Sequence, residues 1–147
     1  MALRISEDQI ELVREEGEKS YPSECCGFLL GKTTDGGKCV LRVKPSQNSA
    51  AKPNQRNRYI IDPLDYLENN KSARSRGEEI LGFFHSHPDA EARPSIFDTE
   101  HAWPWYSYII VSVKSGRAEA LTSWILKDDR SGFDEEEILP SKLDNND

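Results

Sequence analysis

Two histidines and an aspartate occupy positions from which they could bind one metal ion. His85 and His87 stand two residues apart at the end of an apolar run, and Asp98 follows in the next segment. Side chains two residues apart on a β-strand project from the same face, so both imidazoles can approach a single ion. An aspartate from the following loop would make three protein ligands, the number found in catalytic zinc sites, where water takes the fourth position. His85, His87 and Asp98 are therefore a candidate site for one Zn²⁺ ion.

The same residues also fit two structural roles. A histidine on an apolar strand is more often a core residue with satisfied hydrogen bonds, and Ser95-x-x-Asp98 is also the pattern of a capping box at a helix start. Capping and metal binding do not exclude each other here, because Ser95 can hold the helix end. Two of the chain's three histidines at alternate positions, followed by an acidic residue at a helix start, favour the metal site.

A longer pattern surrounds the predicted ligands. Glu24 precedes an apolar segment, and the later part reads His85-x-His87-Pro88, six residues, then Ser95-x-x-Asp98. This pattern resembles the JAMM (MPN+) metalloprotease motif, and all five of its polar positions are present. The likeness extends over most of residues 6–126 and is to the small stand-alone bacterial members of that family.

The resemblance implies a function and roles for two further residues. It implies a zinc metallopeptidase that hydrolyses an amide or isopeptide bond after the C-terminal Gly-Gly of its partner, a ubiquitin-like or sulfur-carrier protein. It implies that Glu24 is the general base that takes a proton from the attacking water and hands it to the leaving amine. It also implies that Ser95 donates a hydrogen bond to the oxyanion of the tetrahedral intermediate. The implied fold is a single MPN domain, layered like that of cytidine deaminases.

Two other classes of function share part of this residue set. A non-catalytic MPN scaffold that binds partner proteins would have no physical need for all five polar residues. Two histidines and one carboxylate also describe a non-haem iron enzyme, which metal analysis of protein purified without added zinc would reveal. A zinc deaminase is disfavoured because the Pro-Cys-x-x-Cys part of its signature is absent.

The rest of the chain supplies the elements that would position these residues. Short strands interspersed with amphipathic segments predict an α/β fold, with a mixed, mostly antiparallel sheet and helices packed on it. Capping and proline signals predict helices over about residues 6–20 and 62–76 and a short one from Ser95. The predicted strands cover 26–30 and 39–43, which form a hairpin, then 59–61, 80–87, 108–113 and 117–126, with an exposed loop at 45–57.

The metallopeptidase domain is predicted to span residues 1–126. Residues 127–147 hold eight acidic and three basic residues and little apolar surface, so we expect an acidic C-terminal extension that is partly disordered. By that count the extension carries −5 of the net charge of −7. Residues 40–61 contain five basic and no acidic residues, a surface that could steer an acidic partner.

The length, charge and composition of the chain limit which classes of protein it can belong to. A chain of 147 residues argues for one domain, and a net charge of −7 disfavours nucleic acid as a partner. No apolar run approaches the roughly 20 residues that cross a bilayer, and the first residues lack the pattern of a signal peptide. Three cysteines, two of them adjacent, make a poor disulfide framework. We therefore expect a cytoplasmic protein with reduced thiols and no membrane contact.

Overall fold

A computed structural model describes residues 2–35 and 37–141. Seven strands and three α-helices form this part of the chain, together with one 3₁₀ turn at Lys52–Asn54. Their order is β1 (Ala2–Ile5), α1 (Glu7–Ser20), β2 (Cys26–Thr34), β3 (Gly37–Ser46), α2 (Pro63–Ser75), β4 (Glu79–Pro88), α3 (Ile96–His101), β5 (Ser107–Lys114), β6 (Arg117–Leu126) and β7 (Phe133–Pro140). In residues 2–35 and 37–141, no helix combines the length and apolarity needed to cross a membrane.

The strands form one mixed sheet that closes on itself. They hydrogen-bond in the order β1-β3-β2-β4-β5-β6-β7, and β7 pairs back with β1. β1 runs parallel to β3 and β7, and β4 runs parallel to β5, while the other neighbouring pairs are antiparallel. The α/β class and the mixed sheet are therefore confirmed, but the sheet is a barrel. The cytidine-deaminase-like layering stays a prediction.

Two strands that sequence patterns did not predict complete the barrel. In β1, Leu3 and Ile5 are fully buried, and each strand neighbour of β1 comes from a distant part of the chain. In β7, Ile138 packs against the main core and Phe133 packs against a smaller one, while most of the acidic side chains between them are exposed. The sheet thus continues to residue 140, beyond the predicted domain boundary at 126, because backbone pairing needs few apolar side chains. The last part of the expected disordered extension, 142–147, lies outside the described residues.

Helix α1 packs on the barrel where the sequence predicted it. The Ser6 hydroxyl accepts from the Gln9 N–H and the Gln9 side chain accepts from the Ser6 N–H, which confirms the capping box. Val13 enters the main core. At Gly17 the helix lies so close to β5 that an added Cβ would be 2.9 Å from Val113 Cγ2.

Helix α2 also begins as predicted, with Asp62 as its N-cap and Pro63 in the first turn. It packs against β4 and β2, and Ala73 is its buried residue. The strand predicted at residues 59–61 is wrong. The Ile60 N–H donates to the Asn48 side chain, and the Ile60 carbonyl accepts from the Ser49 N–H. These bonds replace the ones that a neighbouring strand would make.

A glycine in β4 sets the spacing between β4 and β5. A Cβ built on Gly82 would lie 1.9 Å from the Ser107 carbonyl oxygen, which is backbone and cannot turn aside. We expect Gly82→Ala to destabilise the fold by about 3 kcal/mol, the upper end of the usual range for overpacking, because the contact is with backbone and forces the strands apart. Urea unfolding measures this change. Gly132→Ala is the matched control, since nothing lies within 4 Å of its added Cβ. Equal midpoints for the two variants would contradict this account of the strand spacing.

Candidate metal centre

Strand β4 presents the two predicted histidine ligands in the middle of the sheet. It lies between β2 and β5, with His85 opposite Cys26 and beside Ile110. His85 is 1% exposed and His87 is 6% exposed, and their ring centroids are 5.0 Å apart. The alternation predicted from sequence therefore places both imidazoles on one face.

Helix α3 brings Asp98 to the same place. Ser95 is its N-cap, and Ser95 and Asp98 exchange hydrogen bonds in the capping box that the sequence predicted. The loop that connects β4 to α3 is anchored through three successive carbonyl oxygens. They belong to Ala90, Glu91 and Ala92, and they accept hydrogen bonds from Ser112 Oγ, His87 Nδ1 and Thr122 Oγ1 respectively.

The distances from Asp98 to the two histidines match those around a tetrahedral ion. Asp98 Oδ2 is 3.3 Å from His85 Nε2 and 3.2 Å from His87 Nε2. One ligand atom from each residue lies within 4.8 Å of the others. In a tetrahedral zinc site with bonds of about 2.0–2.1 Å, neighbouring ligand atoms are about 3.3–3.4 Å apart. His85, His87 and Asp98 therefore form a group that could hold a metal ion.

The protonation states of this group also suit a cation. Burial by itself raises the pKa of Asp98, but the His85 charge and hydrogen bonds from both histidines and the Ser95 N–H outweigh it. The pKa of Asp98 is consequently held well below its usual range. Burial lowers the pKa of His85 against the opposing attraction of Asp98. At neutral pH the site offers an ionised carboxylate and, at His85, a neutral imidazole, the forms that bind metals.

The two histidine rings are held in different ways. His87 Nδ1 lies 2.9 Å from the Glu91 carbonyl oxygen, which can only accept, so Nδ1 carries a proton and Nε2 is the nitrogen that would bind a metal. His85 Nδ1 is buried without a hydrogen-bond partner among the described residues. Tyr59 instead stacks on the His85 ring, with centroids 4.5 Å apart and planes 23° apart. Sequence patterns gave no signal for Tyr59 beyond the wrongly predicted strand.

Glu24 is buried close to this group. Cys26 pairs with His85, so extending the antiparallel register by two residues places Glu24 opposite His87, on the same face as both histidines. Glu24 is 4% exposed, and its carboxylate accepts no hydrogen bond in the part of the chain that the structure describes. Burial, and then the negative charge of Asp98, raise the pKa of Glu24 to about 9. The structure thus brings His85, His87, Ser95 and Asp98 together and places Glu24 within electrostatic reach of Asp98.

An apolar groove of about 820 Å³ opens beside His85 and Asp98. Its walls come from residues 59–67, from Phe83 on β4 and from the segment that follows α3. Trp103 is 66% exposed at the groove, while Tyr108 is buried there. The groove has the dimensions and the apolar lining of a ligand site next to the metal-binding group.

Part of the predicted basic surface is already neutralised within the chain. Arg42 pairs with Glu78 at 3.1 Å, and Arg56 pairs with Asp89 at 3.1 Å. Arg58 lies over the Phe97 ring, 5.3 Å from its centroid, beside the groove. The steering role of this surface stays a prediction, with fewer unpaired charges than the sequence indicated.

Comparison with known proteins gives relatives of similar length. A protein of Haloferax volcanii named desampylase is 37% identical over 100 residues, which cover 67% of this chain and 69% of the relative. A protein of Thermus thermophilus, named a probable TtuB-protein conjugate cleaving protease, is 31% identical over 118 residues, or 80% of this chain and 75% of the relative.

A solved structure and a family model agree with these relatives. The solution structure of a protein from Desulfitobacterium hafniense superposes with a TM-score of 0.82 at 33% sequence identity, covering 96% of this chain and 94% of that one. The family model described as prokaryotic homologs of the JAB domain matches residues 6–127. The resemblance seen in the sequence is therefore confirmed, and the chain belongs to the family of prokaryotic homologues of the JAB domain.

Proposed function

We propose that this protein is a zinc metallopeptidase that cleaves the amide or isopeptide bond after the C-terminal Gly-Gly of a ubiquitin-like or sulfur-carrier protein. The observation that carries the proposal is the buried convergence of His85, His87 and Asp98 with Glu24 on the same face. The relatives support the substrate class, because two of them are named for desampylation and for cleaving a protein conjugate.

We assign the metal to His85, His87 and Asp98, and the general base to Glu24. A zinc ion bound there would lower the pKa of its water toward 7 and polarise the scissile carbonyl. The Glu24 carboxyl would then face a site of net positive charge, which would lower its pKa from about 9 toward the neutral range where a general base works best. Glu24 would take one proton from the attacking water and pass it to the departing amine.

Ser95 fits the assigned role of oxyanion donor. Its side chain is at the exposed start of α3, and its Oγ accepts the Asp98 N–H at 3.1 Å. A hydroxyl that accepts one hydrogen bond still has its own proton to donate. The proton of Ser95 is therefore available to a substrate oxygen without loss of the helix cap.

For Ser95→Ala we expect kcat to fall about 10²–10³-fold with zinc content unchanged, because the oxyanion would lose a donor. Steady-state kinetics and metal analysis measure the two quantities. Ser6→Ala removes the equivalent capping hydroxyl from α1 and should cost about 1 kcal/mol of stability without changing kcat. If Ser95→Ala and Ser6→Ala have the same kcat, Ser95 acts only as a helix cap.

The apolar groove beside His85 and Asp98 is our candidate for the substrate tail. It adjoins two of the assigned ligands and is lined mainly by aromatic and aliphatic side chains. An extended chain that ends in Gly-Gly could lie in it and bring its last carbonyl to the metal.

The three cysteines are buried free thiols, which supports a reducing compartment such as the cytoplasm.

The test is a cleavage assay with a ubiquitin-like carrier protein that has been extended beyond its terminal Gly-Gly. Protein purified without added metal is first analysed for zinc and iron, then incubated with the carrier, and the products are weighed by mass spectrometry. We expect zinc in the protein and a carrier that ends at Gly-Gly. Iron in place of zinc, or an intact carrier in the presence of zinc, would overturn the proposal.

A further inference from the structure

Asn48 makes four hydrogen bonds with backbone groups. Its Nδ2 donates to the carbonyl oxygens of Glu24, at 3.1 Å, and Arg58, at 2.9 Å. Its Oδ1 accepts from the N–H groups of Ala50, at 3.0 Å, and Ile60, at 3.1 Å. The amide thus uses both of its donor hydrogens and both acceptor positions, and it contacts three separate parts of the chain.

Two of these bonds fix the backbone on both sides of Tyr59. The Arg58 carbonyl precedes Tyr59 and the Ile60 N–H follows it, so Asn48 holds this peptide segment in place of a neighbouring strand. The Ser49 N–H adds a bond to the Ile60 carbonyl at 2.8 Å. Tyr59 in turn stacks on His85 at 4.5 Å. Asn48 therefore holds the backbone from which the Tyr59 ring projects onto His85.

Apart from Asp98 at its Nε2, the His85 ring has no hydrogen-bond partner among the described residues to orient it. The ring of His87 is fixed by a hydrogen bond from Nδ1 to the Glu91 carbonyl, whereas His85 Nδ1 has no hydrogen-bond partner in residues 2–35 and 37–141. Metal-binding histidines are usually held by a hydrogen bond through the second nitrogen, and losing such outer contacts weakens metal binding about 10–100-fold. For His85, stacking by Tyr59 takes the place of that bond.

The remaining contacts of this segment hold Glu24. The Glu24 N–H donates to the Gln55 carbonyl at 2.7 Å, and the Glu24 carbonyl accepts from Asn48. The Gln55 side chain donates to the carbonyls of Asn48 and Ala50 at 3.3 and 2.8 Å. Both backbone polar groups of Glu24 are therefore satisfied by the segment that Asn48 organises.

We propose that Asn48 is a positioning residue that fixes the metal ligand His85, through Tyr59, and the general base Glu24, through its backbone, in one mutual arrangement. The proposal rests on the function assigned above. It predicts that loss of the Asn48 amide disturbs metal binding and turnover together, although Asn48 touches neither the metal-binding atoms nor the Glu24 carboxyl.

The experiment compares zinc affinity, measured by competition with a chelating dye, in the wild type and four variants. We expect Tyr59→Ala to raise the zinc Kd about 10-fold or more, and Tyr59→Phe, which keeps the ring, to stay within about 2-fold of the wild type. Asn48→Ala should raise the Kd about 10-fold or more and lower kcat more than it changes KM. Asn57→Ala is the matched control, an exposed asparagine of the same loop, and should behave as the wild type.

Visible spectra of the Co²⁺-substituted proteins give a second readout. Absorption that reports tetrahedral coordination should change in Tyr59→Ala and Asn48→Ala but not in Tyr59→Phe. A purely structural role for the segment would lower the thermal midpoint without altering these spectra. If Asn48→Ala does not fold, the pair Tyr59→Ala and Tyr59→Phe decides the question.

The positioning role of Asn48 and the proposed function can fail separately. Unchanged zinc affinity and spectra in Tyr59→Ala, in a wild type that binds zinc, would overturn the positioning role and leave the proposed function standing. A wild type that binds no zinc would overturn both.

Discussion

Glu24→Gln is expected to lower kcat about 10²–10⁴-fold while the protein continues to bind zinc. Glutamine has the shape of glutamate but cannot accept the proton of the attacking water. Glu24 is 4% exposed, and glutamine has nearly the same volume, so the change keeps the packing of the site. The measurements are single-turnover cleavage of the extended carrier and zinc content by mass spectrometry.

Glu136→Gln is the matched control for this result. Its carboxyl is 5% exposed, close to the 4% of Glu24, and it accepts a hydrogen bond from Ser123 on the neighbouring strand. The variant should keep its zinc and its kcat. A Glu24→Gln protein that cleaves at the wild-type rate would show that another group acts as the base.

The raised pKa of Glu24 adds a dependence on pH in metal-free protein. An acid whose pKa rises from 4.5 in the unfolded chain to about 9 in the fold binds more protons when folded. Its contribution to stability is therefore complete below about pH 4.5 and declines as the pH rises toward 9. At pH 8, Glu24→Gln without metal should melt at a higher temperature than the wild type, with the difference shrinking at pH 5. A lower midpoint at pH 8 would contradict the burial effect.

Asp98→Asn is expected to weaken zinc binding at least about 100-fold and to abolish turnover. The variant removes the negative charge between the two histidine Nε2 atoms, and a neutral amide oxygen is a far weaker zinc ligand than a carboxylate. Asparagine can still accept the Ser95 N–H, so α3 keeps its start. Chelator competition measures the affinity, and added zinc should restore activity to chelator-treated wild type but not to the variant.

The control for Asp98→Asn makes the same change at another helix start. Asp62 caps α2 by accepting the Leu64 N–H at 2.8 Å and belongs to no metal-binding group in the described residues. Asp62→Asn should therefore keep its zinc and its turnover. Zinc binding by Asp98→Asn with wild-type affinity would remove Asp98 from the ligand set.

The candidate site could be predicted because its signals are local. The alternation of His85 and His87 and the capping pattern of Ser95 and Asp98 each depend on neighbouring residues, and both are present in the structure. Asn48 and Tyr59 could not be identified in this way. Their roles come from contacts between a loop and two other segments. The spacing of residue types within a polar loop does not indicate such contacts.

The same reason explains what was missed in the fold. The helices begin at recognisable caps, so α1, α2 and α3 start where the sequence predicted. β1 is short, and it pairs in parallel with β7, whose residues are far from it in the chain. No turn signal marks such a pairing. The Asn48 side chain likewise replaced a strand partner at Ile60, which sequence patterns cannot anticipate.

The pairing of Ala2 with Glu137 has a consequence for how the protein is made. During synthesis β1 emerges before the other strands that the structure describes, but one of its two neighbours, β7, is the last of these strands to be translated. Until then the nascent sheet has two open edges, at β1 and β6, which are sites for wrong pairing with other chains. The residues proposed to bind the metal, on β4 and α3, are all translated before this closure. Ribosome-bound chains that stop before β7 should accordingly be protease-sensitive, and the release of β7 should mark the acquisition of the native fold.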